Sequence, residues 1–233
     1  MKLLSYTKEV KTQAKLWMYF DQMVHLATAY PHLDERSLVF DVGGYKGQWA
    51  IDLYSRYGST VYIFEPVPES YEIIKTRTFR NKKIKVFNFG LYDKNIQKNI
   101  TNNKESSTIF FNSDGGGNVT TIEMVDVVDF MDKNLTRPVD LVKINVEGCE
   151  YQIMNRLIKS EYEKHFDAFL IQFHRISGML HGKFRKRTVR HLRDEYHNNF
   201  SFPYIWESWV KNSIKDYVTI DRQLSLVRGL ENG

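Results

Sequence analysis

Apolar and polar positions along this chain fall into two alternating kinds of block. Short apolar runs stop at glycine, proline or an acid, and behind each lies a stretch where apolar residues return every three or four positions. Leu38-Val39-Phe40-Asp41-Val42 before Gly43 is the clearest run, and Trp49, Leu53 and Tyr57 follow it with helical spacing. Runs this short, bounded by glycine, predict buried parallel strands. The pattern recurs with strands at 60–65, 84–89, 139–146 and 166–173, and with helices at 69–79 and after Glu150. Between Asn95 and Met124 the alternation lapses; 96–101, 108–111 and 119–124 read as short strands separated by polar turns, and 126–131 as a short helix. Residues 114–118 read as a hairpin tip, and 200–210 and 217–227 as a final antiparallel pair at the sheet edge.

Before the first strand, Leu16, Phe20, Met23, Ala27 and Tyr30 share one helical face, and Pro31 ends the segment. The expected organisation is a helical extension over 1–36 and one doubly wound α/β domain over 37–233.

In such a sheet the carboxyl ends of the strands face one crevice, and the residues found there carry chemistry. Gly43 and Gly47 lie in the first strand-to-helix turn, where glycine lets a ligand approach the main chain and the helix-start amides. Glu65 ends the second strand, about 20 residues on, where an acid accepts hydrogen bonds from ribose hydroxyls. Asp41, before the first glycine, is placed for the amino group of S-adenosylmethionine rather than for a nicotinamide. Gly90 and Leu91 follow the third strand and are expected to border an adenine. Asn145, Glu147 and Glu150 gather at the end of the fourth strand; Glu150 also suits the first turn of a helix. His174 ends the fifth strand and has a pKa suited to taking a proton from a hydroxyl. The base is left open between His174, Glu147 and no protein group.

Four blocks resemble one known family. Asp41-Val42-Gly43-Gly44-Tyr45-Lys46-Gly47, Phe64-Glu65-Pro66-Val67-Pro68, Gly90-Leu91-Tyr92-Asp93 and Lys143-Ile144-Asn145-Val146-Glu147-Gly148-Cys149-Glu150 are similar, in order and spacing, to the signature blocks of FkbM-type methyltransferases. The resemblance implies a mostly parallel seven-stranded sheet of the class I methyltransferase, Rossmann-like type, with S-adenosyl-L-methionine as cofactor. It implies a cofactor site made of Asp41, Gly43, Gly44, Gly47, Glu65, Gly90, Leu91 and Asn145, with His174 and Glu147 as catalytic candidates. It implies O-methylation of a hydroxyl, often on a sugar of a polysaccharide or glycolipid, with the acceptor free or carrier-linked. The family commonly has aspartate where this chain has Asn145, which keeps a hydrogen-bonding group and loses the charge. Two rival classes share the fold: an NAD-dependent sugar oxidoreductase or epimerase, and a catalytically silent nucleotide-binding module.

Composition changes this picture little. The net charge of +5 and the sequence pI near 9.1 favour anionic partners, but bases and acids are mixed along most of the chain and no nucleic-acid motif is present, so nucleic acid is not the expected partner. The exception is 181–193, the densest positive stretch, read either as a solvated helix face or as a clamp for a phosphate or other anion. The single cysteine, Cys149, fits a reducing compartment, and no apolar run is long enough to span a bilayer. A cytoplasmic protein is expected, with peripheral membrane contact through the N-terminal helix left open and no reading of oligomeric state. No His, Cys or carboxylate cluster has clear metal spacing, so no metal is expected. Aromatic residues at 14% are read mainly as core, with Trp206 and Trp209 split between packing and an acceptor pocket.

Overall fold

The computed structural model describes residues 8–103, 106–108, 119–175 and 181–215. In chain order these form α1 (Lys8–Val24), β1 (Leu38–Val42), α2 (Gln48–Tyr57), β2 (Thr60–Phe64), α3 (Pro68–Thr78), β3 (Ile84–Phe87), β4 (Gly90–Tyr92), β5 (Ile96–Asn103), β6 (Ser106–Thr108), β7 (Val119–Asp126), α4 (Val127–Asn134), β8 (Leu141–Ile144), α5 (Glu150–Lys159), β9 (Ala168–Ile171), α6 (His181–Leu192), β10 (Tyr196–Phe202) and β11 (Trp206–Lys211). Seven strands make the main sheet in the order β10-β11-β9-β8-β1-β2-β3. All pairs are parallel except those that β11 makes with β9 and β10. The chain runs outward from β1 through β2 to β3, then returns to β8 and β9 on the other side. The strand order therefore reverses between β1 and β8, and an open α/β sheet binds ligands at such a point.

β1 and β8 are buried along their whole length, which is why they read as continuous apolar runs. Helices cover both faces and split the core in two. On one face Phe40 is fully enclosed, with Tyr62, Phe64, Phe130 and Phe166 in ring contact. On the other, Leu53, Ile63, Ile74 and Leu170 are fully buried. The surplus of aromatic residues is thus largely core. Capping sets the helix ends: Asp126 Oδ1 accepts from the amides of Val128 and Asp129 at the start of α4, and Gly58 ends α2 in the left-handed region.

Several expected boundaries move. Residues 200–210 are not one strand: Pro203 and Tyr204 turn the chain, and β10 and β11 form the antiparallel edge hairpin by themselves. Proline does not sit in the middle of a paired strand, so the break was written locally. The expected strand 217–227, the hairpin tip 114–118 and Phe111 lie outside the described residues. The third strand ends at Phe87 rather than Phe89, and Gly90 and Leu91, which follow it as expected, open a second sheet, of order β4-β7-β5-β6. On α1 the buried side carries Val10 and Trp17, with Trp17 against Phe200 and Phe202; of the expected face, Phe20 packs on Phe202, and Ala27 and Tyr30 join the same core beyond the helix, while Leu16 is 42% exposed.

Candidate active site

The crevice between β1 and β8 collects what the sequence scattered. The turn after β1 is tight: Gly43 and Gly44 both donate to the Phe64 carbonyl, and Gly43, Tyr45 and Gly47 take φ values of 85°, 50° and 74°. A Cβ on Gly43 would stand 2.0 Å from the Asn145 carbonyl oxygen, and one on Gly44 2.2 Å from Ile63 Cγ2. These glycines let β1 close on β8 and β2. What they leave for a ligand is the backbone of the turn, rather than the space of a missing side chain.

Glu65 lies just past β2, 5% exposed, with Oε2 accepting from the Tyr45 amide at 2.7 Å and Oε1 from the Val67 amide at 2.9 Å. Burial pushes its carboxyl up to about 7, against the pull of those two amides. Each oxygen keeps a lone pair, so the group retains capacity for two hydroxyl donors.

Asp41 is fully buried, and its Oδ1 accepts from Lys143 Nζ at 2.7 Å. Lys143 also donates to the Gly43 carbonyl at 2.7 Å, so one ammonium ties the acid to the turn that follows it. Burial holds Asp41 above the usual carboxylate range despite this partner. Its Oδ2 is buried without a hydrogen-bond partner, as is Asn145 Oδ1 at the end of β8. Lys143 was missed among the site residues. Its signal was available: a lysine between Val142 and Ile144 in an apolar strand requires an acid, and parallel pairing puts Asp41 directly beside it.

Beyond β8 the chain turns sharply. Glu147 has φ 50° and Gly148 φ 109°, and a non-glycine residue is held in the left-handed region only where its surroundings over-determine it. Glu147 Oε1 lies 3.4 Å from His174 Nε2, and on the other side of the ring His174 Nδ1 donates to Glu150 Oε1. Glu150 is fully buried; it is the first residue of α5, as the helix-start reading expects, and also the partner of the histidine. The Tyr151 hydroxyl donates to the His174 carbonyl at 2.7 Å and fixes the backbone of that residue. Burial by itself would lower the His174 pKa, but the Glu150 charge and the hydrogen bonds the ring donates to both carboxylates outweigh it and raise it to about 10. Burial also opposes the ionised Glu147, yet the bond and charge of His174 hold that carboxyl below its ordinary value.

A carboxylate at each nitrogen favours the imidazolium, a form with no lone pair to take a proton, and it sets Glu147, whose side chain is 43% exposed, against Nε2.

The remaining candidates are placed as follows. Leu91 is buried in the main core and Gly90 packs against Met124 and Pro66, so only their backbone is left to face an adenine. Trp209, Glu207 and Ser208 are buried, and the half-buried Trp206 packs against the second core. Among the described residues no group of three or more His, Cys, Asp or Glu side chains is arranged to hold a metal ion, and no helix is long and apolar enough to cross a membrane.

The profile of the methyltransferase FkbM domain matches residues 41–195, which include Asp41, Glu65, Lys143, Glu147, Glu150 and His174. Among curated proteins no sequence matches the chain. Similar solved structures include a chain of a fibrillarin/Nop5p complex (11% identity, TM-score 0.48, covering 77% of this chain and 74% of that one). An rRNA methylase from Streptococcus thermophilus is similar at 11% identity and TM-score 0.47, over 84% of this chain and 95% of that one. TrmK from M. capricolum, in complex with S-adenosyl-homocysteine, is similar at 9% identity and TM-score 0.45, over 92% and 83%.

Proposed function

The chain belongs to the FkbM methyltransferase family, and on that premise we propose that it is an S-adenosylmethionine-dependent O-methyltransferase acting on a sugar hydroxyl of a glycan or glycoconjugate. The observation that carries this reading is the meeting of Glu65, the Gly43–Gly47 turn and the Glu147–His174–Glu150 chain at one end of β1, β2 and β8.

The residues fit the cofactor. The two orphaned buried oxygens, Asp41 Oδ2 and Asn145 Oδ1, flank the turn, and Glu65 has spare acceptor capacity for a ribose diol. Asp41, Asn145 and the backbone of Gly43, Gly44 and Gly47 would hold the amino-acid part, Glu65 the ribose, and the backbone of Gly90 and Leu91 the adenine. Asp41 brings polarity rather than a free charge, since Lys143 already balances it. When bound, S-adenosylmethionine supplies a methyl group activated on a sulfonium, so the protein's share is to align an acceptor oxygen and to take one proton.

Glu147 takes that proton. It is ionised, accessible and held in place by His174, whose charge is in turn balanced by the buried Glu150. The acceptor hydroxyl loses its proton only as its oxygen bonds to carbon and becomes strongly acidic, so a weak carboxylate base is sufficient. A hydroxyl acceptor gives this carboxylate a task; an amine would need it less. Cys149, the single cysteine and a buried one, supports action in the cytoplasm.

The test is calorimetric titration with S-adenosylmethionine, S-adenosylhomocysteine and NAD, on the protein and on Glu65→Ala, followed by incubation with oligosaccharides and sugar nucleotides. Binding of both sulfur compounds, weakened in the variant, and gain of one methyl group on a sugar by mass spectrometry are expected. Binding of NAD alone, or methylation confined to nitrogen, would sink the reading.

A further inference from the structure

Helix α6 has no acid in its first turn, where α1, α3, α4 and α5 carry Glu9, Glu69, Asp129 and Glu150. Its twelve residues include no acid, and Lys183, Arg185 and Lys186 stand in its opening turns, where the positive end of the helix disfavours cations. Arg185 turns inward, with Nε donating to Glu207 Oε1. Lys183, Lys186, Arg187, Arg190 and Arg193 are exposed, and none has an ion-pair partner among the described residues. A local conflict of this kind, repeated along one helix, calls for a compensating gain.

The gain has a place. Between α5 and α6 lies a cleft of about 250 Å³ whose lining includes Arg187, Thr188 and Arg190, with Phe184 at one end and Asp194 at the other. Phe184 is 42% exposed, and its ring lies 6.3 Å from that of Tyr151, the residue bonded to the His174 carbonyl. The Phe184 end of the cleft thus adjoins the segment that carries the base. The acid at the other end would repel a polyanion running through, so the cleft suits a short anion.

We propose that the α5–α6 cleft binds a phosphate or diphosphate group, clamped by Arg187 and Arg190, with Phe184 packing on the moiety attached to it. A guanidinium fork donates to two phosphate oxygens at once, and the exposed face of Phe184 suits a planar or apolar neighbour. Resting on the methyl-transfer reading above, this makes the acceptor a phosphate-bearing sugar compound.

The experiment is calorimetric titration of the whole chain with inorganic pyrophosphate, uridine diphosphate and a single-stranded RNA 12-mer, and separately with S-adenosylhomocysteine. Pyrophosphate should bind, and Arg187→Gln/Arg190→Gln should weaken it by about tenfold or more, as expected for lost charge-assisted bonds. Uridine diphosphate should bind more tightly than pyrophosphate, an advantage that Phe184→Ala removes. S-adenosylhomocysteine affinity should be unchanged in both variants, which also shows that they are folded. S-adenosylhomocysteine binding without pyrophosphate binding, or pyrophosphate binding indifferent to the arginines, overturns this proposal alone. RNA binding that is tighter than pyrophosphate and steeply salt-dependent overturns it in favour of a polyanion surface. Pyrophosphate binding without S-adenosylhomocysteine binding overturns the methyl-transfer reading, and with it the assignment of the phosphate to an acceptor.

Discussion

Asp41 and Lys143 stand side by side in register on β1 and β8, their charged atoms 2.7 Å apart and almost wholly removed from solvent. The pair joins the two strands whose ends make the crevice, and through the Gly43 carbonyl it also holds the turn. Removing one partner leaves a buried charge. Lys143→Met should cost about 3–5 kcal/mol of stability at pH 8, less at pH 5 where the orphaned Asp41 takes up a proton. The double variant Asp41→Leu/Lys143→Met should recover most of that loss in urea unfolding while S-adenosylmethionine binding stays lost. A double variant as unstable as the single one would show that the pair is needed for the fold itself.

His174 should behave as a cation throughout the neutral range. Its folded pKa of about 10 lies above the unfolded value near 6.5, so its stabilisation is complete below about pH 6.5 and is lost as pH rises toward 10. The ring proton resonance of His174 should therefore show no titration between about pH 5 and 8. His174→Gln should flatten the decline in unfolding free energy across about pH 6.5–10. A midpoint near 6.5 would return the histidine to the role of a free base.

Glu147 carries the proton transfer. Glu147→Gln should lower kcat by about 10²- to 10⁴-fold with S-adenosylhomocysteine affinity retained, the range for loss of a general base. Because the carboxylate is held below its ordinary pKa, wild-type kcat should be level from pH 6 to 8. A rate that climbs through pH 6.5 would point elsewhere.

Glu65 has the opposite pH signature to an ordinary surface acid. Its folded pKa of about 7 exceeds the unfolded value near 4.5, so the folded state binds more protons in that window and stability falls as pH rises through it. The slope for one such group is at most about 1.4 kcal/mol per pH unit. Glu65→Gln should remove it, measured by denaturant unfolding at pH 5 and 7.5, and should weaken S-adenosylmethionine binding. An unchanged slope would show that Glu65 is ionised in the folded protein at pH 5.

Gly43 and Gly58 share a left-handed backbone and differ in surroundings. A Cβ at Gly58 would stand 3.6 Å from Glu35 Cβ, an ordinary contact, so Gly58→Ala should cost only the backbone penalty of about 1–2 kcal/mol. At Gly43 the Asn145 carbonyl stands 2.0 Å from that position, so Gly43→Ala should cost more and also abolish cofactor binding. Thermal melts of the two variants, side by side, check this.

What the sequence by itself determined was local. The apolar runs, the glycine turn, the acid that ends β2 and the basic stretch of α6 are all written within one element, because strand and helix periodicity and glycine's backbone freedom act over a few residues. The break at Pro203 is local in the same way. Tertiary structure decided the charge states. Lys143 reaches Asp41 across 102 residues and His174 reaches Glu150 across 24, and each contact depends on which strands lie adjacent and on how much water is excluded. A histidine at a strand end looks like a base until carboxylates from the turn after β8 and from the start of α5 stand at both its nitrogens. An aspartate before a glycine turn looks free until the strand that returns beside it brings a lysine. Protonation depends on distance and burial, and both arise only when the chain has folded.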